Sequence, residues 1–175
     1  TELGANGFVV AGTLYSGGAF TWMPTHNVQP IGGEQATAVS RDGKSIAGNV
    51  LDSTGHEFGA IWNGGREWRQ IPTLVPNAQS CDRYVTSIYG GSDDGKVLVG
   101  LGWNGCKIAH AFRWEESTGM VDLGTGNVTS SRANDVSGDG RVVIGWVEDS
   151  TGFRRGAKWV NGAQEIIRGP SGIVG

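Results

Sequence analysis

Glycine recurs at fixed places along the 175 residues, and this regularity limits the possible folds more than any other feature. A turn glycine at Gly7, Gly43, Gly95 and Gly140 is followed five residues later by Gly12, Gly48, Gly100 and Gly145. A short run then ends in tryptophan, at Trp22, Trp62, Trp114 and Trp159. The interval from turn glycine to tryptophan is 19 residues in the last three copies and 15 in the first. The tryptophans themselves are 40, 52 and 45 residues apart. Constant internal spacing with joints of variable length marks a repeat architecture, in which each copy is one supersecondary unit.

Each copy holds four short strand candidates, rich in apolar and β-branched residues and punctuated by Gly, Asn and Asp. In the second copy they are Ala36–Ser40, Ser45–Leu51, Phe58–Trp62 and Trp68–Ile71. Asp42-Gly43, Asp94-Gly95 and Asp139-Gly140 join the first two strands, with Asn6-Gly7 in the first copy. Asp-Gly between apolar runs predicts a tight turn, because glycine takes positive φ at little cost and Asp bonds the local backbone. No stretch carries apolar residues at helical spacing over ten residues. The expected fold is therefore all-β and β-propeller-like, with four blade repeats of about four antiparallel strands each. The blades cover approximately 1–33, 34–72, 85–124 and 131–167 of a single repeat domain. The tail 168–175 reads as the approach to another copy. Setting Ile173-Val174-Gly175 beside Thr1-Glu2-Leu3 would complete the first copy's short first strand and close a four-bladed ring; the competing reading is a piece of a longer propeller.

His110-Ala111-Phe112-Arg113-Trp114, Gly119-Met120-Val121-Asp122-Leu123-Gly124, and Ala133 to Val136 followed by Ser137-Gly138-Asp139-Gly140 and Val142-Val143-Ile144-Gly145 together resemble the HAF-type extracellular repeat. The His-Ala-Phe triplet occurs once; the other copies read Ala19-Phe20-Thr21-Trp22, Gly59-Ala60-Ile61-Trp62 and Gly156-Ala157-Lys158-Trp159. The resemblance covers nearly the whole chain. It implies a secreted or surface-exposed bacterial protein, often an autotransporter passenger, and implies little about activity.

Charge narrows the partners. Fourteen Lys and Arg against seventeen Asp and Glu give a net charge of −3, with both signs interspersed. Such a balance argues against nucleic acid, which calls for a basic stripe. No apolar run is long enough to span a membrane as a helix, and no signal peptide is recognisable. The two cysteines, Cys81 and Cys106, lack metal-ligand spacing. Both fall in joints on one rim of the predicted disc. A disulfide stapling the longest loop would suit an oxidising compartment, and the alternative is two unpaired thiols.

The four tryptophans are expected to pack between blades, where a large aromatic fills the wedge between twisted sheets. A ring of sugar-stacking platforms is the alternative for them. Function is expected where the copies differ, on the rim that carries the cysteines. That rim also holds Asp52, His56, Lys107, Glu148, Asp149, Phe153 and Arg154. On it, Trp103 and Tyr84 could stack on a ligand while Asp82, Arg83 and Asn104 fix its orientation. His26, His56 and His110 fall in three different copies, and no catalytic, phosphate-binding or metal motif is recognisable. Glu115 and Glu116 are adjacent in a strand end and should point apart. The sequence reads as an extracellular, non-enzymatic binding or display module without cofactor, its partner a glycan or a cell-surface protein. The alternatives are a glycan-acting hydrolase and a purely structural passenger segment.

Overall fold

The fold is seen in a computed structural model that describes residues 2–3, 9–65, 67–76, 85–104, 108–124, 129–169 and 172–173. Four antiparallel sheets of four strands follow one another along the chain, each in simple meander order. The first blade is β1 (Glu2–Leu3), β2 (Val10–Thr13), β3 (Ala19–Met23) and β4 (His26–Gly32). The second is β5 (Gln35–Val39), β6 (Ile46–Leu51), β7 (Glu57–Trp62) and β8 (Arg69–Gln70). The third is β9 (Thr86–Gly91), β10 (Val97–Asn104), β11 (Ile108–Glu115) and β12 (Gly119–Asp122). The fourth is β13 (Ser131–Val136), β14 (Val142–Glu148), β15 (Arg154–Val160) and β16 (Ala163–Ile166).

The turn between the first and second strands is built three times from the same atoms. In the second blade Ser40 Oγ donates to Asp42 Oδ1 at 2.8 Å, and the Lys44 amide donates to that same oxygen at 3.1 Å. The Ser45 amide donates to Ser40 Oγ at 3.0 Å. Ser92, Asp94, Lys96 and Val97 repeat this arrangement, as do Ser137, Asp139, Arg141 and Val142. The turn glycines Gly43, Gly95 and Gly140 sit at φ 73°, 68° and 74°, the left-handed region that disfavours a side chain. The second glycine of the repeat has another cause. A Cβ on Gly48, Gly100 or Gly145 would stand 1.9 Å from the carbonyl oxygen of Gln35, Ser87 or Arg132 on the neighbouring strand. The ladder shifts register beside these glycines in all three blades. They admit the close approach of a bulged strand.

Between consecutive blades lie three apolar cores. Ala11, Ala19 and Ile31 meet Ala36 and Ile46. Ala38, Ala47, Ile61 and Ile71 meet Ile88, Leu98, Phe112 and Trp114. Val97, Val99, Ala111 and Leu123 meet Ala133, Val136, Val143, Val147, Ala157 and Trp159. Each blade thus has a preceding face and a following face, and the residues of a strand alternate between them. Turn-to-turn hydrogen bonds reinforce the stacking: the Arg41 amide donates to the Asp93 carbonyl at 2.6 Å, and the Asp93 amide to the Gly138 carbonyl at 2.9 Å. Arg41 Nε also donates to Asp93 Oδ2 at 2.9 Å.

One expectation is corrected. The four tryptophans are not alike: Trp159 and Trp114 are buried, Trp62 is half-buried, and Trp22 is 37% exposed. Burial falls toward the first blade because Trp22 lies on a preceding face that no described blade covers. The Trp159 indole N–H bonds the Leu123 carbonyl of the third blade at 2.9 Å. In the second blade it is Trp68 that reaches back, to the Ile31 carbonyl at 2.9 Å, while the Trp62 N–H turns to Gly65. In the tail, β17 (Arg168–Gly169) pairs with β18 (Gly172–Ile173), while Glu2–Leu3 pair with Val10–Ala11. Thr1, Val174 and Gly175, through which a closed ring would join, lie outside the described residues. Cys81, Asp82, Arg83, Tyr84, Cys106 and Lys107 lie outside the described residues.

Candidate functional site

Three positions of the repeat converge near the rim that carries the joints between second and third strands. They lie thirteen residues before the second glycine, one after it and nine after it. In the second blade they are Gln35, Asn49 and Glu57; in the third Ser87, Leu101 and Ala109; in the fourth Arg132, Trp146 and Arg154. The first two sets, with Tyr89 and Trp103, line one groove of about 450 Å³ between the second and third blades. Two members of the second blade's set tie it to the third. Asn49 Oδ1 accepts the Ile88 amide at 2.9 Å, and buried Glu57 accepts from Ser87 Oγ at 3.0 Å.

At one end of the groove stands a cluster of cations and rings. The Arg132 guanidinium lies 4.9 Å from the Tyr89 ring centroid and 5.7 Å from that of Trp146. Arg154 lies 4.2 Å from the same Trp146 ring. Arg132 Nε donates to Asn134 Oδ1 at 3.0 Å, which fixes the plane of its fork. Neither guanidinium meets a carboxylate among the described residues. The contrast with neighbouring arginines is direct: Arg41 pairs with Asp93, Arg69 with Glu116, Arg113 with Glu115 and Arg155 with Asp149. Two stacked guanidiniums keep most of their donors for an outside acceptor, and the planar fork suits carboxylate or phosphate oxygens.

Of the expected ligand residues, Trp103 lines the groove and is half-buried. Asn104 is occupied elsewhere: its Nδ2 donates to Asp122 Oδ2 at 2.9 Å. Asp122 also accepts from His110 Nδ1 at 2.9 Å and from the Gly124 amide at 2.8 Å. His110 is buried, and a Cβ on Gly124 would collide with its ring, so this network pins the end of the third blade. Asp52 and Asp149 build matching loops. Each Oδ1 accepts from the amide and hydroxyl of the Thr two residues on, and from the amide four residues on. These bonds, the Thr151 hydroxyl foremost, hold the Asp149 carboxyl down at about 2; Asp52 is lowered by the equivalent bonds to Thr54 and His56. Glu115 and Glu116 do point apart, to Arg113 and Arg69.

Arg132, Tyr89 and Trp146 escaped notice in the sequence because they lie within strands. Aligning the copies on the second glycine would have found two of them, since a Gln, a Ser and an Arg share one position, and an Asn, a Leu and a Trp another. A second cleft has Glu34, Glu67, Trp68 and Gln70 in its lining, two carboxylates and an aromatic ring. Among the described residues no group of three His, Cys, Asp or Glu is placed to hold a metal ion.

No protein-family model matches the sequence, and no curated protein matches it. Solved structures do. A TolB protein of Agrobacterium tumefaciens superposes with a TM-score of 0.68 at 16% identity, over 96% of this chain and 60% of its own. TolB of Acinetobacter baumannii gives 0.68 at 16% identity, over 93% of this chain and 41% of its own. The β-propeller domain of the Trilobed protease from Pyrococcus furiosus, which has an open velcro topology, gives 0.54 at 12% identity, over 90% and 49%. The class is therefore that of the β-propellers: four consecutive blades packed face to face. At these identities the likeness is one of fold, and the chain spans about half the length of the structures it resembles.

Proposed function

We propose that this protein is a non-enzymatic propeller module that binds an acidic segment of a partner protein along the strip from Trp103 through Tyr89 and Arg132 to Trp146 and Arg154. One observation carries the reading: two guanidiniums stacked on one indole, with no carboxylate of their own among the described residues, at the end of an open groove. Ligand carboxylates would bond the forks, and flat or aliphatic groups between them would lie on Tyr89, Trp146 and Trp103. Display outside the cell, with a Cys81–Cys106 staple on the same rim, belongs to this reading. Its support is the HAF-like repeat.

Calorimetric titration with a ten-residue Asp/Glu-rich peptide, and separately with an oligouronate, tests it. The peptide should bind with an affinity that falls as salt rises. Replacing both arginines (Arg132→Ser with Arg154→Ser) removes charge-assisted hydrogen bonds of about 1.5–3 kcal/mol each, so affinity should fall at least tenfold. Peptide binding indifferent to both substitutions defeats the proposal, and binding of the oligouronate alone moves the site to acidic glycans. The hydrolase alternative rests on the Glu34–Glu67 cleft; glycan cleavage lost in Glu34→Gln or Glu67→Gln would support it.

A further inference from the structure

The junction between the second and third blades and the junction between the third and fourth share one register, and they differ at one place. Ile61 pairs with Arg69 across β7 and β8, and Arg113 with Val121 across β11 and β12, so Arg69 and Val121 hold the same position on a fourth strand. Arg69 reaches the next blade. Its guanidinium lies 5.7 Å from the Trp114 ring centroid and donates to Glu116 Oε2 at 2.6 Å. One blade further on, the counterparts of Trp114 and Glu116 are Trp159 and Asn161. Val121 is too short to span the same distance, and it stays 41% exposed. Where the arginine lies at the earlier junction, a cleft of about 460 Å³ is left open at this one. Val121, Leu123, Val143 and Trp159 are its apolar lining, and Arg113, Asp139, Arg141 and Asn161 are the charged and polar part.

We propose that this cleft binds a small organic acid, a carboxylate carried on an apolar body of about the size of one aromatic side chain. Glu116, the carboxylate that holds Arg69, is replaced here by the neutral Asn161. The cleft therefore lacks the partner that a cation finds at the preceding junction, and the charge left available in it is positive. Arg113 is engaged with Glu115 at 3.0 Å. Asp139 Oδ1 accepts the Ser137 hydroxyl and the Arg141 amide. The nearest carboxylate to the Arg141 guanidinium among the described residues is Asp139 Oδ2, at 3.9 Å from Nε, which is beyond hydrogen-bond distance. The Arg141 side chain is 77% exposed, and its planar fork can take both oxygens of a ligand carboxylate. Removing the ligand's apolar body from water against Val121, Leu123 and Val143 supplies the rest of the affinity. The volume is that of a small-molecule pocket. Both walls belong to described blades, and a blade in a stack touches only its neighbours, so the cleft does not depend on what adjoins the outer blades.

Amide NMR of the full chain, titrated separately with phenylacetate, phenylacetamide and phenethylamine, tests the site. The acid should shift the Val121, Arg141 and Asn161 amides and the Trp159 indole N–H, with a Kd on the order of 1 mM. The neutral amide should bind about tenfold more weakly, having lost the charge-assisted bonds, and the amine should not bind. Arg141→Gln spares the turn, which uses the Arg141 backbone amide, and should weaken the acid by about the same factor. Val121→Arg supplies the side chain that Arg69 supplies one junction earlier. It should abolish the shifts although it adds a positive charge, whereas simple charge attraction would strengthen them. Replacing Arg132 and Arg154 by serine should change nothing at these four groups, which separates this cleft from the acidic-peptide strip. The spectrum of each variant reports whether it is folded. Equal binding of acid and amide overturns the proposal, as does tighter binding of the amine. So does a Val121→Arg protein that still takes the acid, or an acid that leaves these four signals unmoved well above that concentration.

Discussion

Gly145→Ala separates the two physical reasons for glycine in this repeat. Gly145 has ordinary extended backbone, so alanine meets no conformational penalty there. It meets the Arg132 carbonyl oxygen at 1.9 Å, and the next atoms, the carbonyl carbon of Arg132 and the Cα of Ala133, at 2.9 and 3.0 Å. Oxygen and carbon do not approach closer than about 3 Å, so β13 must retreat by about 1 Å or rotate its peptide. Either movement breaks the narrow pairing of Arg132 with Trp146 and Ala133 with Gly145. It also lifts Ala133, fully buried against the third blade. Overpacking alone costs about 1–3 kcal/mol, and two weakened ladder bonds add about 1 kcal/mol each. The expected loss is therefore about 3–5 kcal/mol. Gly152→Ala is the control, because Gly152 sits at φ 82° with nothing within 4 Å of a new Cβ. Only the left-handed backbone penalty applies there, about 1–2 kcal/mol. Urea unfolding followed by tryptophan fluorescence gives both numbers. A loss at Gly145 no larger than that at Gly152 would show that the bulged strand gives way freely, and the account of the second glycine would fail.

Trp159→Phe should cost about 1–3 kcal/mol by urea unfolding, because it strands the buried Leu123 carbonyl that the indole N–H now satisfies; Trp22→Phe, at the exposed counterpart, should leave the monomer's unfolding free energy within about 0.5 kcal/mol. Asp149→Asn should destabilise the wild-type fold at neutral pH and lose that effect in acid. The folded carboxyl titrates at about 2 against an ordinary 3.8, so its contribution is present above 3.8 and is lost as pH falls toward 2. The gap between the unfolding curves of the two proteins should therefore be much smaller at pH 2.5 than at pH 7, and a constant gap would rule out the carboxylate as the cause.

The repeat made most of the fold legible, because the residues that punctuate it answer to backbone geometry alone. Gly43, Gly95 and Gly140 mark turns wherever they occur, and Asp42, Asp94 and Asp139 do build those turns. The strand ends fell within a residue or two, as at Ile46–Leu51 against an expected Ser45–Leu51. What stayed hidden depends on neighbours distant in the chain. Trp22 carries the same signature as Trp159, yet its environment depends on whether a blade lies beneath it. Asn104 looks like a free rim residue until Asp122, eighteen residues on, is seen to hold it. The second glycine could be counted but not explained, since the carbonyl that forbids a side chain belongs to another strand.

The candidate site follows from the same division between what the backbone requires and what it leaves open. At the turn and bulge positions the described blades repeat glycine, and the buried rows stay apolar, because the geometry admits little else. At the three groove positions the backbone is the same and the residues are not: Gln, Asn and Glu, then Ser, Leu and Ala, then Arg, Trp and Arg. Identical backbone with unlike side chains means that folding does not choose among them. In the second blade the set has a structural use, since Asn49 and Glu57 hold the next blade's first strand. In the fourth blade the same positions hold Arg132 and Arg154, which bracket an indole with no carboxylate among the described residues to neutralise them. Two like charges drawn to one ring repel each other and cost stability unless something else approaches. Their placement is therefore best understood as recognition of an anionic partner, on a scaffold that the glycines and the blade cores maintain independently of it.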